Sequence, residues 1–251
     1  MTQLLFRGFF GGLVKVSSSE YHKFCVTTPS RPLMTDEPLS SRRQDPSVPK
    51  QYDAWARVYD LFWARYVNKT IPVLQRAADV QAGERVLDLA CGTGTFERRV
   101  VEDVPDANVV GVDLAPAMVE RARAKLDGQP GVRFEQADVH DLPFDDDVFD
   151  VAVCANTFHY FTHPEQVLVE ARRVLRPGGR LVVLDWCRDF WTCRVMDAVL
   201  PLIDPAYQHC YTLDEMRDLL TESDFLPQRQ FRYRFDLIWG MMVVEAVPDR
   251  S

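Results

Sequence analysis

The run Val86-Leu87-Asp88-Leu89-Ala90-Cys91-Gly92-Thr93-Gly94, with Asp113 following 19 residues after Gly94, constrains this chain more than any other stretch. An apolar run that stops at a Gly-x-Gly turn predicts a buried strand feeding a helix. Glycines at 92 and 94 tolerate positive φ and let a ligand approach the backbone with no side chain between. The next apolar run, from Asn108 through Val112, ends on Asp113. In a doubly wound sheet, an acid at the tip of the following parallel strand meets ribose hydroxyls. The pattern points to an adenosine-containing ligand. A dinucleotide would need a third glycine, and that position is Glu97. A carboxylate there takes the helix N-terminus where a pyrophosphate would bind, although it also suits the helix dipole by itself. A cofactor without phosphates fits better.

S-adenosyl-L-methionine is such a cofactor, with an amino-acid zwitterion, a sulfonium, a ribose and an adenine. Val86–Gly94, Asp113, Asp138 and Pro177-Gly178-Gly179 resemble, in order and spacing, the signature of class I S-adenosylmethionine-dependent methyltransferases. They most resemble the small-molecule branch that includes the ubiquinone and menaquinone methyltransferases. The resemblance is good over residues 50–185 and loose elsewhere. A lone Gly-x-Gly is weak, whereas several matching elements in order are strong. The resemblance implies a doubly wound α/β fold with a mostly parallel seven-stranded sheet.

Composition narrows the partners. A net charge of −8 argues against nucleic acid, because phosphate binding wants clustered Lys and Arg. Arg121, Arg123 and Lys125 read as a solvated helix face. The six cysteines show no zinc-type spacing and no signal peptide is evident, so reduced thiols and a cytoplasmic protein are expected. Cys187, Cys193 and Cys210 share one segment without ligand spacing, and no metal is expected. No apolar run reaches the roughly 18 residues of a membrane span, which leaves peripheral membrane contact open.

Residues 1–50 stand apart from the expected domain, 51–251. Their start is basic and Phe-rich, readable as a targeting presequence or as an over-extended reading frame before Met34; residues 36–50 read as a disordered Pro/Ser/Arg linker. Tyr52-Asp53-Ala54-Trp55-Ala56-Arg57-Val58-Tyr59-Asp60 resembles the lead-in of the quinone-methyltransferase group. Two readings stand: a helix packed by aromatics, or a lid that brings Tyr59 to the ligand. From residue 85 the chain predicts strands at 85–89, 108–113, 132–136, 149–155 and 180–186, with helices at 95–103, 116–127 and 164–175. That rhythm gives βαβ units. Thr212 with Glu215 predicts a capped helix ending at Ser223, and 229–236 with 238–247 an antiparallel hairpin.

The residues expected to carry chemistry follow. Asp113 can accept both ribose hydroxyls. Asp88, alone in an apolar strand, needs a partner, which the glycine-loop amides or the methionine ammonium could supply. Asp138 resembles the family acid that accepts the adenine amine, and Leu114 and Met118 read as adenine contacts or ordinary packing. The expected cofactor set is therefore Tyr59, Asp88, Ala90, Gly92, Gly94, Asp113, Leu114, Met118, Asp138, Val139 and Ala155. Methyl transfer from a sulfonium depends on alignment and needs a base only when the nucleophile begins protonated. His159, in Ala155-Asn156-Thr157-Phe158-His159-Tyr160, matches the first histidine of a Leu-His-His group found in the family. It reads either as a general base or as a structural histidine. Residues 186–211 are unusually apolar for a connection and predict a cap, with Trp186, Phe190, Trp191, Tyr207 and Tyr211 as substrate contacts.

The expected function is methyl transfer to a small, apolar or amphipathic acceptor. A quinone precursor methylated at carbon stands first, and a lipid or secondary metabolite methylated at oxygen or nitrogen second. A nicotinamide dehydrogenase is disfavoured by Glu97. A catalytically silent cofactor-binding regulator is the alternative outside catalysis. The sequence is silent on oligomeric state.

Overall fold

The computed structural model describes residues 65–202, 204 and 206–251. The N-terminal unit, Met1–Arg65, and with it Tyr59 and the aromatic lead-in, falls almost wholly outside the described residues. The second unit, Tyr66–Ser251, begins in helix α1 over 65–78 and continues as alternating strands and helices. These are β1 (Arg85–Leu89), α2 (Thr95–Asp103), β2 (Asn108–Asp113), α3 (Pro116–Lys125), β3 (Val132–Gln136), β4 (Phe149–Ala155), α4 (Pro164–Val174) and β5 (Leu175–Trp186). Then come α5 (Trp191–Val199), α6 (Leu213–Glu222), β6 (Phe225–Arg234) and β7 (Gly240–Pro248).

The seven strands form one sheet in the order β3-β2-β1-β4-β5-β7-β6. The first five run parallel, and β7 enters antiparallel between β5 and β6. Strand order reverses between β1 and β4, so the C-terminal ends of these strands open a crevice. That is where α/β sheets take ligands. The strands are apolar on both faces because helices cover both. Leu87, Leu89, Val110, Val112, Cys154 and Val183 face Val167, Leu168 and Ala171 of α4 and Met216 and Leu220 of α6. On the other face, Val119 and Ala122 of α3 close with Cys91 over Phe134 of β3.

Local chemistry explains the boundaries. Pro116 and Pro164 open α3 and α4 at first-turn positions, where a missing N–H is harmless. Thr212 and Glu215 form a reciprocal capping box on α6, as the sequence predicts. Two expectations shift. β5 begins at Leu175 rather than 180, because Leu175 pairs with Phe149 and a register shift before Val151 accommodates Pro177-Gly178-Gly179. The hairpin strands are displaced from 229–236 and 238–247. Pro227 is tolerated because β6 is the sheet edge, and the turn falls between Arg234 and Gly240.

Gly94 shows why the loop after β1 needs its glycine. Its φ is 71°, and a Cβ there would sit 2.9 Å from Phe134 Cζ and 3.2 Å from Ala122 Cβ. Gly94→Ala is expected to destabilise the protein by about 2–4 kcal/mol through left-handed strain and overpacking. Urea denaturation measures this, and a change within error would mean that the loop relaxes freely.

Candidate active site

The loop after β1 is held by its neighbour strand. Cys91 N–H donates to Val112 O at 2.9 Å, and Gly92 N–H donates to Asp113 Oδ2 at 2.9 Å. The second oxygen, Oδ1, accepts from Ala115 N at 2.9 Å, at the start of α3. Asp113 thus fastens the glycine loop to α3 while its remaining lone pairs stay available, and burial raises its pKa against the pull of these two N–H groups. Gly92 has φ 55° and nothing within 4 Å of where a Cβ would stand, so its backbone faces open space. Ala90, with φ 66°, and Asn156, with φ 57°, adopt the left-handed conformation at the ends of β1 and β4, on either side of the crevice. Non-glycine residues held there carry strain.

Beneath the loop lies a pair of acids. Asp88 pairs in register with Gly111 of β2, and the Glu97 carboxyl lies directly over Gly111. Glu97 is fully buried, at 0 % exposure, rather than on the solvated first turn of α2. Asp88 Oδ1 and both Glu97 oxygens have no conventional donor among the described residues. Two acids buried this close disfavour double ionisation. Burial is the first cause; for Glu97 the Asp88 charge adds to it, and for Asp88 the Asp113 charge. Both acids are pushed up from the usual carboxylate range. Lys125, whose ammonium reaches Thr93 Oγ1 at 3.0 Å and Thr95 Oγ1 at 3.2 Å, only partly offsets this for Glu97.

These features test the fit of S-adenosylmethionine. An open glycine backbone, a strand-end carboxylate with free lone pairs and buried acids below the loop suit a cation with a ribose. They oppose a pyrophosphate. The other expected cofactor residues surround the same strand ends. Leu114 is exposed just beyond β2, Met118 is half-buried on α3, Val139 is buried after β3, and Ala155 ends β4 half-buried. Asp138 Oδ1 accepts from His140 N at 2.9 Å and pairs with His140 Nδ1 at 2.6 Å. Burial opposes ionisation of Asp138, but these bonds win and hold its carboxyl below the usual range.

On the far side of the crevice, His159 lies on a short 3₁₀ turn, Phe158–Tyr160, after β4. It is 2 % exposed. Asp185, near the end of β5, takes three hydrogen bonds there: His159 Nδ1 at 2.6 Å, His159 N at 3.0 Å and Trp186 N at 2.6 Å. The imidazole stacks on Trp186 with centroids 4.2 Å apart, and the His159 carbonyl accepts from Gln208 N and His209 N. Asp185 was not singled out in the sequence. Its signal is an acid inside the apolar run Leu181–Trp186, the same signal that marks Asp88.

Trp186 Nε1 donates to Tyr66 Oη at 2.8 Å, and Tyr66 donates to Asn156 Oδ1 at 2.6 Å. This chain ties α1 to the ends of β4 and β5. Of the other expected substrate residues, Tyr207 is buried with its hydroxyl on Asp197 Oδ1 at 2.6 Å. Tyr211 packs edge-on against Phe158 at 5.7 Å, Phe190 is half-buried and Trp191 is exposed. Among the described residues no group of His, Cys, Asp and Glu could hold a metal ion, and no helix is long and apolar enough to cross a membrane.

Comparison with known proteins places this geometry. Residues 86–179 match the family described as Methyltransferase domain. A demethylmenaquinone methyltransferase of Thermus thermophilus is 44% identical over 131 residues, covering 51% of this chain and 55% of that protein. The 27-O-demethylrifamycin SV methyltransferase of Amycolatopsis mediterranei is 34% identical over 158 residues, 55% of this chain and 58% of that protein. The chain spans about half the length of the curated relatives it matches. A Haloferax volcanii methyltransferase, solved with the Trm112 methyltransferase activator, superposes with a TM-score of 0.68 at 23% identity, over 81% of this chain and 100% of that one. At that identity the likeness carries the fold.

The acid pair gives a pH signature. A carboxyl whose folded pKa is raised contributes stability that is full below its unfolded pKa and is lost as pH rises through the folded one. Relative to the double variant Asp88→Asn, Glu97→Gln, the native protein should therefore lose stability from about pH 4.5 upward, by about 1.4 kcal/mol per pH unit for each proton the pair retains until it ionises. Paired denaturation curves across pH measure the difference; parallel curves would mean that the two acids titrate normally.

Proposed function

From a chain that carries a class I, S-adenosylmethionine-dependent methyltransferase domain, we propose that it transfers the methyl group to a small apolar or amphipathic acceptor. Carbon methylation of a quinone precursor is the first choice. What supports the reading is that the Asp113-pinned glycine loop follows β1 and His159, paired with Asp185, follows β4, the two strands between which strand order reverses. Similarity to the Thermus demethylmenaquinone methyltransferase supports a quinone acceptor, and the rifamycin relative favours oxygen methylation of a secondary metabolite as the second choice.

When bound, the cofactor supplies an electrophilic methyl on a sulfonium. In this proposal Asp113 holds the ribose, while Asp88, Ala90, Gly92 and Gly94 form the cradle for the amino-acid end. Leu114, Met118, Asp138, Val139 and Ala155 take the adenine side; the expected contact Tyr59 lies outside the described residues. Asp185 is a positioning residue. By accepting Nδ1–H it leaves Nε2 of His159 as the basic nitrogen, and stacking on Trp186 fixes the ring plane. A phenol or enol proton would pass to that nitrogen as the acceptor carbon or oxygen attacks. Residues 186–211 form the acceptor side, with Trp186, Phe190, Tyr207 and Tyr211 as contacts, while the expected contact Trp191 is exposed. Free thiols among the described residues suit a reducing, cytoplasmic setting.

Calorimetry should show S-adenosylmethionine binding and no NAD binding, and Asp113→Ala should lose about 2–4 kcal/mol of it and also lower the melting temperature, because the Gly92 and Ala115 N–H groups lose their acceptor. Binding of NAD instead would end the methyltransferase reading. With acceptor identified by labelled-methyl transfer into a lipid extract, His159→Ala should lower kcat by roughly 10²–10⁴. Asp185→Asn should move the acidic limb of the kcat–pH profile. Unchanged kcat in both variants would make the pair purely structural and favour an already nucleophilic acceptor.

A further inference from the structure

Glu97 is an acid that the fold buries completely and that the proposed chemistry leaves unused. It stands on the first turn of α2, and Asp88 beside it in β1 is buried as well. Gly111 of β2 makes the room, since a Cβ there would collide with Glu97 Oε1 and stand 2.9 Å from Cys91 Cβ. The two carboxyls lie within hydrogen-bonding reach of each other. Asp88 Oδ1 and both Glu97 oxygens meet no conventional donor among the described residues. A buried carboxylate that no donor reaches is costly, and two side by side are costlier.

The elements packed around the pair do not supply the missing positive charge. Lys125 of α3 offsets Glu97 only in part, because its ammonium is committed to the Thr93 and Thr95 hydroxyls. Arg98, next to Glu97 in α2, pairs with Glu102 at 3.3 Å. From β2, Asp113 adds a second negative charge against Asp88. Cys91 in the loop and Cys154 of β4 also face these acids, and their thiols stay neutral, raised by burial first. From β3 comes only the apolar ring of Phe134, against Gly111. A cation that balances the ionised pair has to come from outside the chain.

We propose that the Asp88–Glu97 pair holds a proton in the free protein and releases it to solvent when S-adenosylmethionine binds, so that Glu97 sets the preference for the sulfonium cofactor over its demethylated product. This rests on the proposed cofactor site, in which Asp88 and the glycine loop cradle the amino-acid end. The ammonium is common to cofactor and product, whereas S-adenosylhomocysteine lacks the sulfonium charge. A cation beside a buried carboxyl favours its ionised form. Glu97 and Asp88 therefore stay ionised against the cofactor. Once the methyl has bonded to the acceptor and the C–S electron pair has stayed on sulfur, the pair takes a proton back from solvent and its hold on the product weakens.

Calorimetric titration of the full-length protein with S-adenosylmethionine and with S-adenosylhomocysteine, in buffers of differing ionisation enthalpy between about pH 6 and 8, counts the protons released. With rising pH, the affinity for S-adenosylmethionine should gain on that for S-adenosylhomocysteine by up to about tenfold per pH unit, the linkage slope for one extra proton. Glu97→Gln should bring the two slopes together. Infrared difference spectra of the native protein need no variant: the carbonyl stretch of a protonated carboxyl should fade on addition of S-adenosylmethionine and fade less with S-adenosylhomocysteine. Equal slopes for the two ligands, a slope difference that survives Glu97→Gln, or a carboxyl band that S-adenosylmethionine leaves untouched overturns the proposal while the cofactor reading stands. Absence of S-adenosylmethionine binding overturns both.

Discussion

Backbone N–H groups that donate to a carboxylate at a strand end hold both walls of the crevice. Asp113 gathers Gly92 N and Ala115 N, and Asp185 gathers His159 N and Trp186 N. Loops after parallel strands have no ladder partners of their own, so their amides need acceptors. A charged acceptor gives shorter, stronger bonds than a carbonyl does. Asp113 keeps lone pairs beyond these two bonds and Asp185 also holds the His159 ring, which makes the scaffold and the candidate chemistry inseparable. Removing either one loosens a loop as well as a contact.

The glycine loop and its strand-end acid were legible in the sequence because their parts are local. A strand, a glycine turn and the acid ending the next strand lie within thirty residues, and parallel pairing of β1 with β2 follows from a short right-handed crossover. Asp113 accordingly sits where its position implied. The hydrophobic rhythm also located each parallel strand, since burial on both faces leaves near-continuous apolar runs.

What the sequence hid depends on register or burial. His159 lies on the turn after β4 and Asp185 on β5, and only the pairing of β4 with β5 brings them together. Glu97 looked like a first-turn acid serving the helix dipole, yet Gly111 leaves a hollow into which its carboxyl turns. The first hairpin strand begins at Phe225 rather than 229 and takes in Pro227, which an edge strand tolerates and a central strand would expel. Trp191 and Tyr207 were equivalent aromatics in the sequence. The fold buries one beside His159 and leaves the other outside.

Ala90 and Asn156 hold left-handed backbone at the mouths of the two central strands. For L-residues this conformation is sustained only by the structure around it. A search for stabilising substitutions would select both positions for glycine, since glycine relieves the conformational penalty. The released energy would come from the segments that fix where ligands can sit. The protein would then hold its fold more firmly and its ligands less well, so greater heat resistance and weaker recognition would arise from the same two torsion angles.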